Sequence, residues 1–179
     1  VNIHGAAGGK VGQPVFHLGG TLQVDAAQGD FACALFHAAG ADLIETMRFT
    51  PEEGIALLEL HLERMKGSAA ELGFAFDRHA VRNAIQALCF EADAPSRVRL
   101  VAARRGAISL ELGKLPKPLP EPALCIALPL PVDQGDWRLR HKSSDRGFYD
   151  VGLRVAKEAG AFDALFVRDD GLVTEGCIT

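Results

Sequence analysis

The sequence is most diagnostic at Leu43-Ile44-Glu45-Thr46-Met47-Arg48-Phe49, a stretch bounded by Gly40 and Pro51. Successive side chains of a β-strand point to opposite faces, and this alternation predicts a strand here. One face carries Ile44, Thr46 and Arg48, and the other carries Leu43, Glu45, Met47 and Phe49. A turn over residues 50–54 follows, and residues 55–60 are predicted to return as a second strand.

Two helices and a hairpin are predicted next. A helix is expected over His61 to Leu72, because apolar residues recur there at helical spacing and Gly73 is a typical helix end. Asp77 can cap a second helix over residues 78–90. Residues 98–103 and 107–112 read as strands on either side of a turn at residues 104–106, which predicts a hairpin. The helical residues that share one face are Leu62, Met65, Ala69 and Leu72.

A proline-rich segment divides the chain. Residues 114–122 hold four of the nine prolines, so they can form neither a helix interior nor a central strand, and we predict an interdomain linker there. Residues 1–113 then form an N-terminal α/β subdomain and residues 123–179 a C-terminal one, in an α+β fold. Within residues 1–41, which are poorly defined, only residues 15–24 suggest a hairpin. The C-terminal elements expected are a strand over 123–130, a helix over 149–159 and a hairpin over 164–174.

Composition and spacing exclude several classes of function. The 179 residues carry 19 Lys and Arg against 23 Asp and Glu, a net charge of −4 that argues against a nucleic-acid surface. No apolar run approaches the ~18 residues of a membrane span, and the N-terminus has no secretion signal, so we expect a cytoplasmic protein without a membrane segment. The four dispersed cysteines and six histidines show no metal-ligand spacing, so no metal site is expected. Residues 5–11 fail as a P-loop because Val11 stands where Ser or Thr would bind magnesium.

Two segments could carry chemistry. Residues 138–146 concentrate cations, and three interpretations stay open: a solvated basic loop, an anion site at a helix N-terminus, or a reactive lysine. In the third, neighbouring cations lower the pKa of Lys142 and leave a free amine for Schiff-base chemistry. Glu175 is either a surface carboxylate before Gly176 or a cleft carboxylate that pairs with a cationic ring nitrogen.

Four segments in order resemble the fold-type IV (class IV) pyridoxal-phosphate aminotransferase family, and most closely its 4-amino-4-deoxychorismate lyase-like members. They are LIETMR at 43–48, HLERM at 61–65, HKSSDR at 141–146 and TEGCIT at 174–179. The resemblance runs from Asp42 to the end of the chain. It implies a small α/β subdomain and a barrel-like C-terminal subdomain. We expect the latter to be incomplete, because family members continue for tens of residues beyond Thr179.

The resemblance also implies roles for particular residues. Lys142 matches the lysine that forms a Schiff base with pyridoxal 5′-phosphate and shuttles the substrate proton, and Glu175 matches the carboxylate on the pyridine nitrogen. Arg64 matches the arginine that binds the cofactor phosphate. The strand face of Ile44, Thr46 and Arg48 matches the one that looks toward cofactor and substrate. Arg48 is either a ligand of a substrate carboxylate or a surface charge.

A tyrosine that some relatives place five positions after the lysine is replaced here by Gly147. Tyr149, the only tyrosine of the chain, matches no family motif. Arg146, four positions after Lys142, is similar to the lyase-like members.

The resemblance favours 4-amino-4-deoxychorismate lyase, which gives 4-aminobenzoate and pyruvate in folate biosynthesis. A branched-chain or D-amino-acid aminotransferase is the alternative enzyme. A non-catalytic domain that binds a phosphate ligand or a partner is the alternative outside catalysis. The resemblance further implies a homodimer that binds a small amino substrate.

Overall fold

The computed structural model describes residues 40–90, 92–118 and 121–178, which form two β-sheets flanked by helices. The first sheet is antiparallel and has the strand order β2-β1-β3-β4. In the register of β1 and β3, Leu43 lies opposite Ala102 and Phe49 opposite Ser96. The strands are β1 (Leu43–Thr50), β2 (Gly54–Ile55), β3 (Ser96–Ala102) and β4 (Ile108–Lys114).

Two helices cover one face of this sheet and form the larger core with it. They are α1 (Leu58–Leu72) and α2 (Arg78–Phe90). Met47 and Phe49 of β1 are buried in a cluster that includes the four predicted core residues of α1. Thr46 and Arg48, on the opposite face, are exposed, so the predicted alternation of β1 is confirmed. Ile44 departs from that pattern, because it is buried although it shares their face.

The predicted boundaries of both helices hold, apart from the start of α1. Asp77 Oδ1 accepts hydrogen bonds from the backbone N–H groups of His79 and Ala80, each at 3.0 Å, and so caps α2. Gly73 ends α1 in a left-handed conformation at φ 70°. The start of α2 and the end of α1 are therefore fixed by Asp77 and Gly73, as the sequence predicted.

The predicted return strand over residues 55–60 is wrong beyond Ile55. Leu57 adopts φ 59°, and its carbonyl accepts a hydrogen bond from the His61 N–H, so the chain turns into α1 three residues early. Leu58 packs on the core one turn before Leu62. A short apolar run fits a strand or a buried helix equally well by periodicity, and packing decided for the helix.

The second sheet has the order β5-β6-β7 and combines a parallel pair with an antiparallel one. Helix α3 (Gly147–Glu158) connects the parallel strands, as a crossover between such strands requires. The predicted hairpin is formed by β6 and β7. The strands are β5 (Cys125–Pro129), β6 (Asp163–Val167) and β7 (Val173–Gly176).

Helix α3 lies unusually close to the second sheet. A Cβ atom on Gly152 would lie 2.7 Å from Cys177 Sγ and 2.8 Å from the Phe166 ring. Real Cβ atoms do not approach other atoms so closely, so the packing distance depends on a glycine at this position. The small core of this region includes Tyr149, Ala156 and Phe166.

The predicted α+β class is confirmed, and within the described residues no sheet closes into a barrel. Residues 115–118 and 121–124 connect the two sheets without helix or strand, while the division into subdomains stays a prediction. The hairpin expected at 15–24 and the rejected P-loop at 5–11 lie outside the described residues. No helix in the described ranges has the length and apolar character needed to cross a membrane.

Candidate active site

The segment that contains Lys142 is joined to the start of β1. The Ile44 N–H donates to the Lys142 carbonyl at 3.0 Å, and the Ser144 N–H donates to the Asp42 carbonyl at 2.8 Å. The Asp42 N–H in turn donates to Ser144 Oγ at 2.9 Å. These bonds surround an antiparallel bridge between Leu43 and Ser143. They hold the backbone of the lysine against the first sheet.

His141 fixes the other side of the same segment to helix α1. Its ring is buried, and Nδ1 lies 3.0 Å from the hydroxyl oxygen of Ser68, which is also buried. Its Nε2 lies 3.4 Å from a carboxylate oxygen of Glu71. The lysine segment is therefore clamped between β1 and α1, and its position is set before any ligand binds.

A cavity of about 160 Å³ opens beside this segment. It brings together the three residues predicted to hold the cofactor, Arg64, Lys142 and Glu175, which come from α1, the loop before α3 and β7. Five Lys or Arg side chains line it against two acidic ones. The lining cations are Arg64, Arg138, Arg140, Lys142 and Arg146.

The surroundings of Lys142 make the charged form of its amine less favourable. Burial lowers the pKa of its ammonium group, and the positive charges of Arg146 and Arg64 lower it further. The carboxylates of Glu45 and Glu175 oppose that shift without cancelling it. The lowered pKa agrees with the reactive-lysine interpretation of residues 138–146, and the arginines of the cavity agree with the anion site, so the role of Lys142 stays a prediction.

Glu175 is held by Tyr149, which the sequence analysis had assigned no role. The Tyr149 hydroxyl donates to Glu175 Oε1 at 2.6 Å, and the guanidinium of Arg146 lies over the tyrosine ring at 4.7 Å. Burial and the neighbouring carboxylate strongly raise the pKa of Tyr149, so its hydroxyl stays protonated. Tyr149 lies seven positions after Lys142, in the first turn of the following helix. That position is the sequence feature that could have indicated a place near the lysine.

The strand that carries Glu175 is anchored beyond its end. Asp163 Oδ1 accepts a hydrogen bond from the Cys177 N–H at 3.0 Å, and Oδ2 accepts one from the Ile178 N–H at 3.2 Å. Arg146 also donates to the Cys177 carbonyl. Burial and Asp163 raise the pKa of the Cys177 thiol to about 11, so this cysteine is a packed, neutral group beside the cavity.

Arg64 is oriented by Glu45, a second residue that sequence reasoning did not place in the site. Arg64 Nε donates to Glu45 Oε1 at 2.7 Å and Nη2 donates to Oε2 at 2.6 Å, a two-pronged ion pair. The His61 ring nitrogen Nδ1 lies 2.8 Å from the same Oε2. Glu45 is only 1% exposed. Its position on the apolar face of β1 is the sequence feature that could have indicated this role, because a buried carboxylate needs a cationic partner.

The predicted substrate residues are not part of this cavity. Ile44 is buried and contributes its backbone N–H to the lysine segment, whereas Thr46 and Arg48 are exposed. None of the three lines the cavity. Their substrate-binding role stays a prediction.

The cavity residues fit pyridoxal phosphate. Lys142 offers an amine with a lowered pKa, Glu175 a carboxylate, and the surrounding arginines a positive field for a phosphate group. Ser143, which also lines the cavity, has a buried hydroxyl without a hydrogen-bond partner in the described residues. Those residues contain no group of three or more His, Cys, Asp or Glu arranged to hold a metal ion.

The fold and the cavity together agree with a protein that binds pyridoxal phosphate. The chain belongs to the class IV amino-transferase family, whose model matches residues 42–179. Members of this family are enzymes that use pyridoxal phosphate. The resemblance found in the four sequence segments is thereby confirmed.

Solved structures agree with the family. A protein from Mesorhizobium loti assigned as an amino-acid aminotransferase is 30% identical, with a TM-score of 0.67 over 76% of this chain and 67% of its own. A hypothetical aminotransferase from Mycobacterium tuberculosis in its PLP-bound form is 25% identical, with a TM-score of 0.57 over 93% and 61%.

A protein from Legionella pneumophila assigned as a 4-amino-4-deoxychorismate lyase shares the fold at 18% identity. Its TM-score is 0.64 over 79% of this chain and 57% of its own. The chain thus spans between 57% and 67% of the length of these three relatives. No curated protein matches it.

Proposed function

We propose that this chain carries the cofactor site of a pyridoxal-phosphate enzyme that acts on a small amino substrate, with Lys142 as its catalytic residue. The observation that supports this most is the meeting of Lys142, Glu175 and Arg64 in one cavity, with the pKa of the lysine lowered. Three chain segments far apart in sequence supply an amine for the cofactor aldehyde, a carboxylate for its ring nitrogen and a guanidinium for its phosphate.

Each residue has a separate task. Pyridoxal phosphate, when bound, supplies an aldehyde that condenses with amines and a ring that accepts electrons from the substrate. The Lys142 amine would hold the cofactor through that aldehyde and, when released by the substrate amine, would move a proton at the substrate carbon. Glu175 accepts a hydrogen bond from the ring nitrogen. Arg64 would bind the phosphate through the three N–H groups, two on Nη1 and one on Nη2, that are not bonded to Glu45.

The reaction we propose is that of 4-amino-4-deoxychorismate lyase. Lys142 would remove a proton from the substrate ring, the C–O bond between the ring and the enolpyruvyl group would break, and that group would take up the proton and leave as pyruvate. The ring left behind is 4-aminobenzoate, and its aromatisation drives the step. The LIETMR segment and Arg146 support this choice, since both are similar to the lyase-like members. The corresponding cellular role is folate biosynthesis in the cytoplasm, by a homodimer.

An amino-acid aminotransferase is the second candidate. The Mesorhizobium loti protein, which is 30% identical and assigned as an amino-acid aminotransferase, favours it. It would use Lys142 in the same way but would require a keto acid as the second substrate. A branched-chain or D-amino acid would then be the amino donor.

An absorption spectrum tests the cofactor assignment. The protein titrated with pyridoxal phosphate is expected to gain a visible band, and Lys142→Ala is expected to lose it. Lys157→Ala removes an exposed lysine on α3 and should keep the band. If neither the wild type nor the control gains a band, the enzyme assignment is wrong, and a binding domain without catalysis takes its place.

Product analysis separates the two reactions. Release of pyruvate and 4-aminobenzoate from aminodeoxychorismate without added keto acid establishes the lyase. Amino-group transfer that requires a keto acid establishes the aminotransferase and contradicts the lyase proposal.

A further inference from the structure

Tyr149 is held rigidly beside the cavity. It is the third residue of α3, is 5% exposed, and packs against the ring of Phe148 with centroids 3.9 Å apart. The Arg146 guanidinium lies over the Tyr149 ring, with its central carbon 4.7 Å from the ring centroid. A buried aromatic ring with neighbours of this kind has one orientation, so the place of its hydroxyl is set by packing.

The hydroxyl has one hydrogen and two acceptors within reach. Glu175 Oε1 lies at 2.6 Å and the Arg138 carbonyl oxygen at 3.3 Å. The hydrogen goes to the carboxylate, because that acceptor is both charged and closer. With its pKa raised, Tyr149 keeps this hydrogen at pH values at which a free tyrosine would already ionise.

Glu175 has one oxygen committed and one open. Oε1 accepts the tyrosine hydrogen bond, while Oε2 has no hydrogen-bond partner among the residues that the structure describes. Glu175 lines the cavity together with Lys142. A carboxylate that is fixed through one oxygen can present the other to a ligand without first losing rotational freedom.

We propose that Tyr149 is the positioning residue of Glu175, and that it holds the carboxylate so that Oε2 receives the hydrogen bond of the pyridine nitrogen. This inference rests on the proposed function. It gives the single tyrosine of the chain a task at the ring nitrogen through Glu175, and not a contact with the cofactor itself.

The test compares Tyr149→Phe with Thr174→Val. The first variant keeps the packed ring and removes the hydroxyl. The second is a matched control that removes the hydroxyl next to Glu175 in β7, where Thr174 Oγ1 donates to the Phe166 carbonyl and does not touch Glu175. With cofactor labelled with ¹⁵N in its ring, the wild type and Thr174→Val should show the ring nitrogen in its protonated position.

Tyr149→Phe should move the ring-nitrogen resonance toward that of neutral pyridine. Without the phenol, the carboxylate is free to turn away from the ring nitrogen and then no longer stabilises its protonated form. The dissociation constant of pyridoxal phosphate should rise roughly tenfold, which is the effect expected for one hydrogen bond to a charged group. A variant that merely loosened the fold would lower the melting temperature without changing the resonance.

Glu175→Gln identifies the route of the effect. If Tyr149 acts through Glu175, adding Tyr149→Phe to Glu175→Gln should change the ring-nitrogen resonance and the dissociation constant no further. Equal additional changes in both backgrounds would overturn the inference. An unchanged resonance and affinity in the single variant Tyr149→Phe would do the same.

A second measurement observes Tyr149 directly, without replacing it by Phe. Because Tyr149 is the only tyrosine, growth with 3-fluorotyrosine labels this residue alone. Its ¹⁹F resonance should shift when pyridoxal phosphate binds, and the shift should vanish in Glu175→Gln. A resonance that does not respond to bound cofactor overturns the inference, whereas a protein that develops no visible band at all overturns the proposed function first.

Discussion

Glu175 lines the cavity, whereas Glu45 lies behind Arg64, which lines it, and the two carboxylates are held in different ways. Glu45 is 1% exposed and has both oxygens bonded, to the guanidinium of Arg64 and the ring of His61. Glu175 has one oxygen bonded to a neutral phenol and the other open. The first arrangement suits a group that fixes other residues, and the second suits a group that awaits a ligand. The number of open acceptor sites therefore separates a supporting carboxylate from a binding one.

The largest effect is expected from Glu45→Gln. Glutamine keeps one acceptor oxygen but removes the charge that pairs with Arg64 and the second acceptor, so we expect the unfolding free energy to fall by about 2–3 kcal/mol. That is less than the ~3–5 kcal/mol of a fully buried pair, because Arg64 is half exposed. Denaturant unfolding measures it. Glu111→Gln, in an exposed pair with Arg97 at 3.6 Å, is the control and should cost under ~1 kcal/mol. Equal losses in the two variants would erase the distinction drawn for Glu45.

Gly152→Ala tests whether close packing of α3 holds the strand that carries Glu175, in contrast to the ion pair that holds Glu45. The added methyl meets Cys177 Sγ and the Phe166 ring, so we expect a loss of about 1–3 kcal/mol in the same unfolding measurement. Gly147→Ala, where a Cβ meets nothing within 4 Å, is the matched control. A Gly152→Ala protein as stable as that control would show that α3 can move away from β7 at little cost.

Arg146→Gln should shift the titration of Lys142. Arg146 is the charge that most lowers the pKa of this lysine, so its removal should move the pKa upward. As the pH falls, the Lys142 amine of the variant is therefore protonated at a higher pH than that of the wild type. Mass spectrometry of Lys142 labelling by an amine reagent at a series of pH values follows this midpoint. Arg140→Gln, which also removes a cavity arginine, should move it less, and an equal shift would mean that only the total charge matters.

The smallest effect concerns the phenol. Absorbance at alkaline pH reports Tyr149 alone, since the chain has one tyrosine. Glu175→Gln should lower the pKa of Tyr149, because the carboxylate is one cause of its rise. Burial remains as the other cause, so the pKa should stay above that of a free tyrosine. A titration curve identical to the wild type would show that the hydrogen bond contributes nothing to holding the carboxylate.

The local patterns of the sequence predicted most of the elements, since alternation in β1 and the helix caps at Gly73 and Asp77 act over a few residues. The start of α1 could not be predicted, because Leu58 fits a strand until its contact with the core is known. The cofactor triad came from resemblance. Glu45 and Tyr149 were missed because their roles depend on partners 19 and 26 positions away, which no local pattern records.

The bridge between the lysine segment and β1 has a consequence for folding. It joins Asp42 to Ser144 across 102 positions, so closing it costs more chain entropy than any local turn. We therefore expect the bridge, and with it the cavity, to form late in folding. The appearance of a visible band that depends on Lys142 would then report when folding is complete, because the cofactor can bind only after the cavity has formed.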